Sequence, residues 1–151
     1  MGTRTITGDA TFTLFGRVFN DFADGDVSTI IFPNDFITMK TGKNGNTIYS
    51  RNAPGKNSDC VLRLVRGSSD DKFLQDKLAL SDQDFALTEL GNGQFVERLG
   101  DGGGNVILDV YQLSGGIISR GVDGKENVEG DTVQGVAIWN IKFPEVVRSS
   151  Q

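Results

Sequence analysis

The sequence contains no histidine, one cysteine and one tryptophan among its 151 residues. Without histidine, no side chain has an ordinary pKa near neutrality, which disfavours acid–base catalysis without excluding it. A lone Cys60 can form neither an intrachain disulfide nor a thiolate cluster for zinc. Because its neighbours Val61 and Leu62 are apolar, we expect the Cys60 thiol to be buried in the core.

Long apolar runs are also missing. No segment approaches the roughly 20 apolar residues of a membrane span, so we expect a soluble protein with no membrane contact. Residues 1–6 lack the apolar core of a secretory signal, which favours a product that stays in the cytoplasm where it is made.

Proline is scarce, with three residues, whereas glycine is abundant, with twenty. Together with many Thr, Val, Ile and Phe residues, this predicts short strands joined by tight turns in one domain spanning residues 1–151. Strands are predicted at 10–19, 27–32, 36–39, 47–49, 59–66, 85–90, 94–99, 106–113, 116–120 and 135–143. One helix is predicted from Ser68 or Ser69, with a capping-box-like pairing of Ser68 and Asp71, to about Leu80.

These elements predict a mainly β fold: a β-sandwich or barrel of two packed antiparallel sheets, with one flanking α-helix and a long protruding β-hairpin. The hairpin lies within residues 36–66 and is centred on Asn44-Gly45, where we expect a two-residue type I′ turn. Six basic residues and only Asp59 fall in this stretch. Because the net charge of the chain is −5, the stretch carries +5 and the remainder −10. A basic arm at about 40–58 on an acidic body suggests a subunit that binds a copy of itself, and a mobile surface loop is the alternative.

The sequence signals for catalytic and metal sites are weak. Asp21, Asp24 and Asp26 resemble part of a calcium loop, but no central glycine or distant glutamate is in register with them. The glycine-rich segment 100–105 precedes a strand, which favours a turn over a phosphate site. Asp109 and Glu126 could be drawn as a glycosidase pair, although nothing in their spacing selects them. We therefore predict a protein that is not an enzyme, with no catalytic residue, metal or cofactor.

A DNA-gripping role is also disfavoured. Proteins that grip phosphates have basic surfaces interleaved with aromatic residues, whereas this chain is acidic and its Trp139 lies in an apolar strand. An acidic or neutral surface instead lets DNA pass without binding, because like charge removes the gain from counterion release.

Six segments, in this order along the chain, resemble the tail tube proteins of contractile-tailed bacteriophages. They are DFADGD at 21–26, FPND at 32–35, KTGKNGNT at 40–47, LVRGSSDDKFL at 64–74, LSGG at 113–116 and KENVEGD at 125–131. The resemblance implies a virion structural protein that forms hexameric rings, whose inner strands join into a closed barrel and which stack into the tube for DNA ejection. Type VI secretion tube proteins are similar in fold.

The resemblance also implies partners and a location. The partners are the chain itself and the tail sheath, tape-measure and baseplate proteins, while phage DNA passes through without specific binding. The protein would be assembled in the host bacterial cytoplasm and reside in the virion tail. We expect the strand faces that line the bore to be acidic or neutral.

The candidate contacts between rings are basic and turn residues of the arm and acidic residues of a neighbouring copy. They are Lys40, Lys43, Asn44, Gly45, Asn46, Arg51 and Lys56 on the arm, and Asp123, Glu126, Glu129 and Asp131 in an acidic loop. Asp21–Asp26 is an alternative acceptor. The competing functional class is a secreted or surface β-sandwich that binds a ligand such as a sugar, for which a signal peptide and exposed aromatic residues are expected.

Overall fold

The computed structural model describes residues 5–23, 28–52, 56–124 and 135–150. Its strands are β1 Thr5–Leu14, β2 Arg17–Phe19, β3 Ser28–Ile31, β4 Ile37–Thr41, β5 Thr47–Arg51, β6 Ser58–Val65, β7 Gly91–Gly100, β8 Val106–Arg120, β9 Val136–Phe143 and β10 Glu145–Ser150. Helix α1 spans Ser69–Gln83 and is followed by a 3-10 turn at Phe85–Leu87. None of the described helices is long and apolar enough to cross a membrane.

Two antiparallel sheets meet at the long strand β8. The first sheet has the order β2-β1-β7-β8-β10, and the second has the order β3-β6-β9-β8. Strand β8 pairs with β10 from Asp109 to Ser114, with β7 from Val106 to Gly116 and with β9 from Ile117, so the ladder is continuous through both sheets. A separate two-stranded sheet, β4-β5, forms the hairpin. The predicted mainly β fold is confirmed.

One core joins the two sheets to the helix. Phe12, Leu14 and Phe95 come from the first sheet, and Leu62 and Trp139 come from the second. Leu74 of α1 is fully buried against them, and Phe73 and Leu78 of the same helix are partly buried, so these three residues form the apolar stripe of the helix. Cys60 has no exposed surface, which confirms its predicted burial, and desolvation raises the pKa of its thiol to about 11.

Helix α1 begins where its capping residues predict. Ser68 is the N-cap, and its Oγ accepts a hydrogen bond from Asp71 N at 3.3 Å. The Asp71 carboxylate accepts from Gly67 N at 3.0 Å and from Trp139 Nε1 at 2.9 Å, which ties the helix start to the second sheet. The helix continues to Gln83, three residues beyond the predicted end at Leu80.

Two turn predictions are wrong in an instructive way. The chain reverses at Phe15-Gly16, where φ is 55° and 74°, so Arg17–Phe19 is a returning strand and not a continuation of β1. At the tip of the arm only Gly45 has positive φ. Gly45 N donates to Gly42 O and Gly42 N donates to Asn46 O, which makes a three-residue loop over Lys43-Asn44-Gly45 in place of the predicted type I′ turn.

Three strand predictions also need correction. Residues 85–90 contain the 3-10 turn and irregular backbone, and Gly91-Asn92-Gly93, which lies between two predicted strands, is the start of β7. At Gly93 a Cβ atom would lie 1.9 Å from Thr13 O, so this glycine permits close strand pairing. The predicted strands 106–113 and 116–120 are one strand, β8, and β10 was not predicted.

The predicted connection at Gly100–Asn105 is confirmed as a hairpin turn between β7 and β8. Asp101 Oδ1 accepts hydrogen bonds from Gly103 N at 2.7 Å and from Asn105 N at 3.1 Å. The carboxylate thereby holds the turn from within.

Candidate assembly surface

The arm, defined here as Ile37–Arg51, leaves the body as a two-stranded sheet with every strand residue exposed. Its register pairs Ile37 with Arg51, Met39 with Tyr49 and Thr41 with Thr47. Because side chains alternate across a strand, these pairs share one face of the arm, and Thr38, Lys40, Ile48 and Ser50 share the other.

The arm exposes more apolar surface than its charge pattern predicts. Ile37 is 63% exposed and Tyr49 is 69% exposed, and Met39 and Ile48 are similarly open. Alternating apolar and polar residues at 37–40 are the signal of a half-buried strand, yet none of the described residues forms a second layer over the arm. Ile37, Met39 and Tyr49 are therefore contact candidates that the charge pattern did not reveal.

The charged and turn residues of the arm lie at two places. Its tip consists of Lys43, Asn44, Gly45 and Asn46. Lys40 lies in β4, below the tip and opposite Ile48. Arg51 is at the base, where it lines an open groove of about 480 Å³ together with Phe36, Ile37, Tyr49 and Lys56. Within the described ranges, Lys40, Lys43 and Arg51 form no ion pair.

Lys56 differs from the other arm cations. Its Nζ lies 3.7 Å from Glu145 Oε1, at the start of β10, so it has an acidic partner within its own chain. Both side chains are about half exposed, and such pairs contribute little to stability. Lys56 therefore marks the junction of the arm with the first sheet.

The predicted acidic acceptors are only partly described. Asp123 O accepts a hydrogen bond from Arg66 Nη2 at 3.0 Å, which anchors the start of the acidic loop. Glu126, Glu129 and Asp131 lie outside the described residues, as do Asp24 and Asp26. The Asp21 carboxylate accepts from Ser69 Oγ at 2.9 Å and from Asp70 N at 3.3 Å, so it already serves the start of α1.

The start of α1 contains a buried carboxylate. Asp70 is 2% exposed and accepts from Arg17 Nε at 2.8 Å, Asn20 N at 2.8 Å and Asp21 N at 2.9 Å. Burial by itself would raise the pKa of Asp70, but hydrogen bonds from the Asp21 backbone, Arg17 and the Asn20 backbone outweigh it and lower that pKa. The network fastens the β2 connection to the helix.

A second ion pair closes one end of the first sheet. Asp109 is buried, and its two carboxylate oxygens accept from Arg148 Nε at 2.8 Å and Nη2 at 2.9 Å. The Arg148 guanidinium lies 5.8 Å from the centre of the Tyr111 ring. The hydrogen bond to Asp109 raises the pKa of Arg148. Asp109 is thus bound to a structural partner, and Glu126, with which it could be drawn as a carboxylate pair, lies outside the described residues.

The face of the first sheet that points away from the core is uncharged at its centre. Two adjacent rows of side chains run across this face from strand to strand. Within one row, Gln112 Nε2 donates a hydrogen bond to Gln94 Oε1 at 3.2 Å. The rows consist of Thr13, Gln94, Gln112 and Val147, and of Thr11, Val96, Val110 and Ser149.

Several outer strand edges have no partner among the described strands, including edges of β1, β3 and β10. Strand β2 covers only Phe12–Leu14 of β1, which leaves the outer edge of residues 5–11 open. Strand β3 pairs only with β6, and β10 pairs only with β8. Open edges present unpaired N–H and C=O groups, which another chain can pair.

Comparison with known proteins supports one structural class. No family model matches the chain, and no curated protein matches it. Among solved structures, a chain of an extracellular contractile injection system, the PVC sheath-tube complex in its extended state, is 10% identical with a TM-score of 0.61. The match covers 97% of this chain and 92% of the other.

A second solved structure is the anti-feeding prophage cap, the cap that terminates the AFP tube. It is 12% identical, with a TM-score of 0.53, over 97% of this chain and 91% of the other. At these identities the likeness concerns the fold. The resemblance to contractile tail tube proteins that the sequence predicted is therefore confirmed at the level of the fold.

Proposed function

We propose that this protein is the subunit of a tail tube, a structural protein that assembles into stacked rings. The observation that carries the proposal is the exposed two-stranded arm on a β-sandwich whose fold matches a chain of a sheath-tube complex over 97% of its length. The arm leaves four large apolar side chains exposed in the monomer. Full burial of such a side chain is worth about 1.5–3 kcal/mol, which the monomer does not gain. A neighbouring copy supplies that burial.

Ring closure follows from the open edges. Pairing β10, β3 or the outer edge of β1 with an edge of the next copy satisfies their backbone groups, and closing the ring prevents open-ended aggregation in that direction. We propose a hexameric ring in which the first sheets of adjacent copies join into one barrel. The ring is then a stable unit that stacks head to tail.

The bore is the face of the first sheet that carries the two uncharged rows, with the exposed Arg98 of β7 on the same face beside them. Its Thr, Gln, Val and Ser side chains neither attract nor strongly repel phosphates, so DNA passes without the counterion release that would hold it.

The arm joins one ring to the next. Lys40, Lys43 and Arg51, with the tip residues Asn44, Gly45 and Asn46, face an acidic surface of the adjoining ring, where complementary charge sets the register. The loop containing Asp123, Glu126, Glu129 and Asp131 is the acceptor proposed for the tip. Six contacts per ring act together, so weak individual contacts suffice.

In this proposal the protein belongs to the tail of a bacteriophage virion assembled in the host cytoplasm. A sheath surrounds the tube, a baseplate protein starts it, and a tape-measure protein sets its length, because head-to-tail stacking has no length limit of its own. Phage DNA is the cargo.

A second candidate differs only in the particle. One of the solved structures described above belongs to an extracellular contractile injection system, and the other is the cap of an anti-feeding prophage tube. The same subunit would then build the tube of a particle without a DNA-filled head. The uncharged bore suits either cargo.

Electron microscopy of the purified protein tests the proposal. At high concentration, negative-stain images should show rings or tubes, and sedimentation velocity should show species much larger than the 16.3 kDa monomer. A strictly monomeric protein over a wide concentration range contradicts the proposal. Tubes copurifying with DNA-filled particles favour the phage tail, and tubes from headless particles favour the second candidate.

A further inference from the structure

A second exposed apolar surface lies at the far end of α1. Phe85, Leu87 and Leu90, called here the helix-end patch, are 73%, 50% and 62% exposed. They follow one another within six residues, in the 3-10 turn and the segment before β7. Clustered large apolar side chains at a surface mark a contact site, whereas scattered ones do not.

Polar contacts hold the helix-end patch in place. Asp84 Oδ1 accepts from Ala86 N at 3.1 Å, and Thr88 Oγ1 donates to Ser81 Oγ at 3.2 Å. Leu87 N donates to Asp84 O at 2.9 Å, and Lys77 forms an ion pair with Glu89. The backbone is therefore fixed while the apolar side chains point outward, which presents a preformed surface to a partner.

The charges of the patch complement those of the arm. Asp82 and Asp84 border the patch, no basic residue occurs from Ser81 to Leu90, and Glu89 is paired with Lys77. On the arm, Arg51 shares one face with the exposed Ile37, Met39 and Tyr49, Lys43 lies at the tip, and Lys40 lies on the other face. An apolar centre with a charged rim of opposite sign is the composition of a matched pair of interface surfaces.

We propose that the arm of one copy packs its Ile37, Met39 and Tyr49 face on the helix-end patch of an adjoining copy, with Arg51 of the same face beside Asp82 and Asp84. This proposal rests on the proposed function, because it names the docking site of the arm within the assembly. The acidic loop contacts only the tip of the arm, and the helix-end patch contacts the strands of the arm. The contact is heterologous, since two different surfaces meet, and it propagates along a tube.

Cysteine cross-linking between two variants tests the contact. Met39→Cys protein is mixed with Leu87→Cys protein under assembly conditions and treated with a short bis-maleimide. The buried native Cys60 is a poor competitor, because its thiol is shielded and its pKa is raised. Val106→Cys replaces Leu87→Cys in the control mixture, since Val106 is 52% exposed and lies at the β7–β8 turn. Only an intermolecular contact yields the mixed dimer.

We expect the Met39→Cys and Leu87→Cys mixture to give at least about tenfold more mixed dimer than the control mixture. Tubes without this preference overturn the docking site and leave the tube proposal intact. A protein that forms no rings or tubes overturns both.

A second experiment measures assembly without a cross-linker. The double variant Phe85→Ser with Leu87→Ser should keep the circular dichroism of the native protein, because both side chains are exposed. It should need at least about tenfold more protein to form tubes, whereas Val106→Ser should assemble normally. Normal assembly of the double variant contradicts the proposal.

Discussion

The start of α1 and the arm both depend on charged side chains, but they use charge in opposite ways. At the helix start, Asp70 is 2% exposed and each of its contacts is made within the chain. On the arm, Lys40 and Lys43 are exposed and form no ion pair in the part of the chain that the structure describes. Buried, satisfied charge specifies the fold of the subunit, and exposed, unpaired charge remains for contact with another copy.

The sharpest way to test this contrast is to remove the buried carboxylate. Asp70→Ala leaves the Arg17 guanidinium and the backbone N–H groups of Asn20 and Asp21 without their acceptor, so unfolding free energy should fall by about 3 kcal/mol. Urea denaturation followed by circular dichroism measures the loss. The matched control is Asp76→Ala, an exposed carboxylate of the same helix, which should change stability by no more than about 0.5 kcal/mol. Equal losses in the two variants would refute the contrast.

Glycine substitutions compare the body and the arm directly. Gly93→Ala places a Cβ 1.9 Å from Thr13 O, which forces β1 and β7 apart, and should destabilise the protein by about 2 kcal/mol. Gly45→Ala meets open space, and its cost comes only from the positive φ of 84°, about 1 kcal/mol in the folded arm. If the arm folds independently of the body, Gly45→Ala should leave the global denaturation midpoint nearly unchanged. A larger shift for Gly45→Ala than for Gly93→Ala contradicts this interpretation.

Acid sensitivity should also come from the helix start. The pKa of Asp70 is lower in the folded state than in the unfolded state, so the unfolded chain takes up the proton first as pH falls. The contribution of Asp70 is therefore complete at neutral pH and is lost as pH falls from about 4 through the folded-state pKa. Asp70→Asn should reduce the pH dependence of stability in that acid range. If the stability of this variant falls with decreasing pH as steeply as that of the native protein, the assignment is wrong.

The smallest expected effect on stability comes from the arm, although its effect on assembly is large. Lys40→Glu and Lys43→Glu, alone and together, should change unfolding free energy by no more than about 0.5 kcal/mol, because exposed charges contribute little. Tube growth should nevertheless stop in the double variant, as seen by negative-stain microscopy. Lys72→Glu, an exposed lysine on α1, makes the same charge change as each single variant and should assemble normally.

The arm result separates two roles of the basic residues. Normal tubes from the double variant would show that the arm cations are only solvated, and an unfolded subunit would show that the arm is part of the folding unit. Lys56 is left out of the test because its partner Glu145 lies in the same chain.

Much of the fold could be predicted because its signals are local. Ser68 with Asp71 marks the start of α1, and the apolar neighbours of Cys60 place its thiol in the core. The arm was predicted as a hairpin from turn residues between two alternating stretches. The candidate site was predicted only in its charged part, since Ile37, Met39 and Tyr49 resemble ordinary half-buried strand residues until the structure leaves them uncovered.

By itself, the sequence determined the β content, the single helix and the opposite charges of arm and body, because propensity, capping and composition act over a few residues. Only the tertiary structure decided that Phe15-Gly16 turns, that Gly93 pairs closely with β1, and that β8 joins both sheets. Each of these depends on which distant strand lies alongside. A glycine suits a tight turn and a close strand contact equally well, and only the neighbouring backbone distinguishes the two.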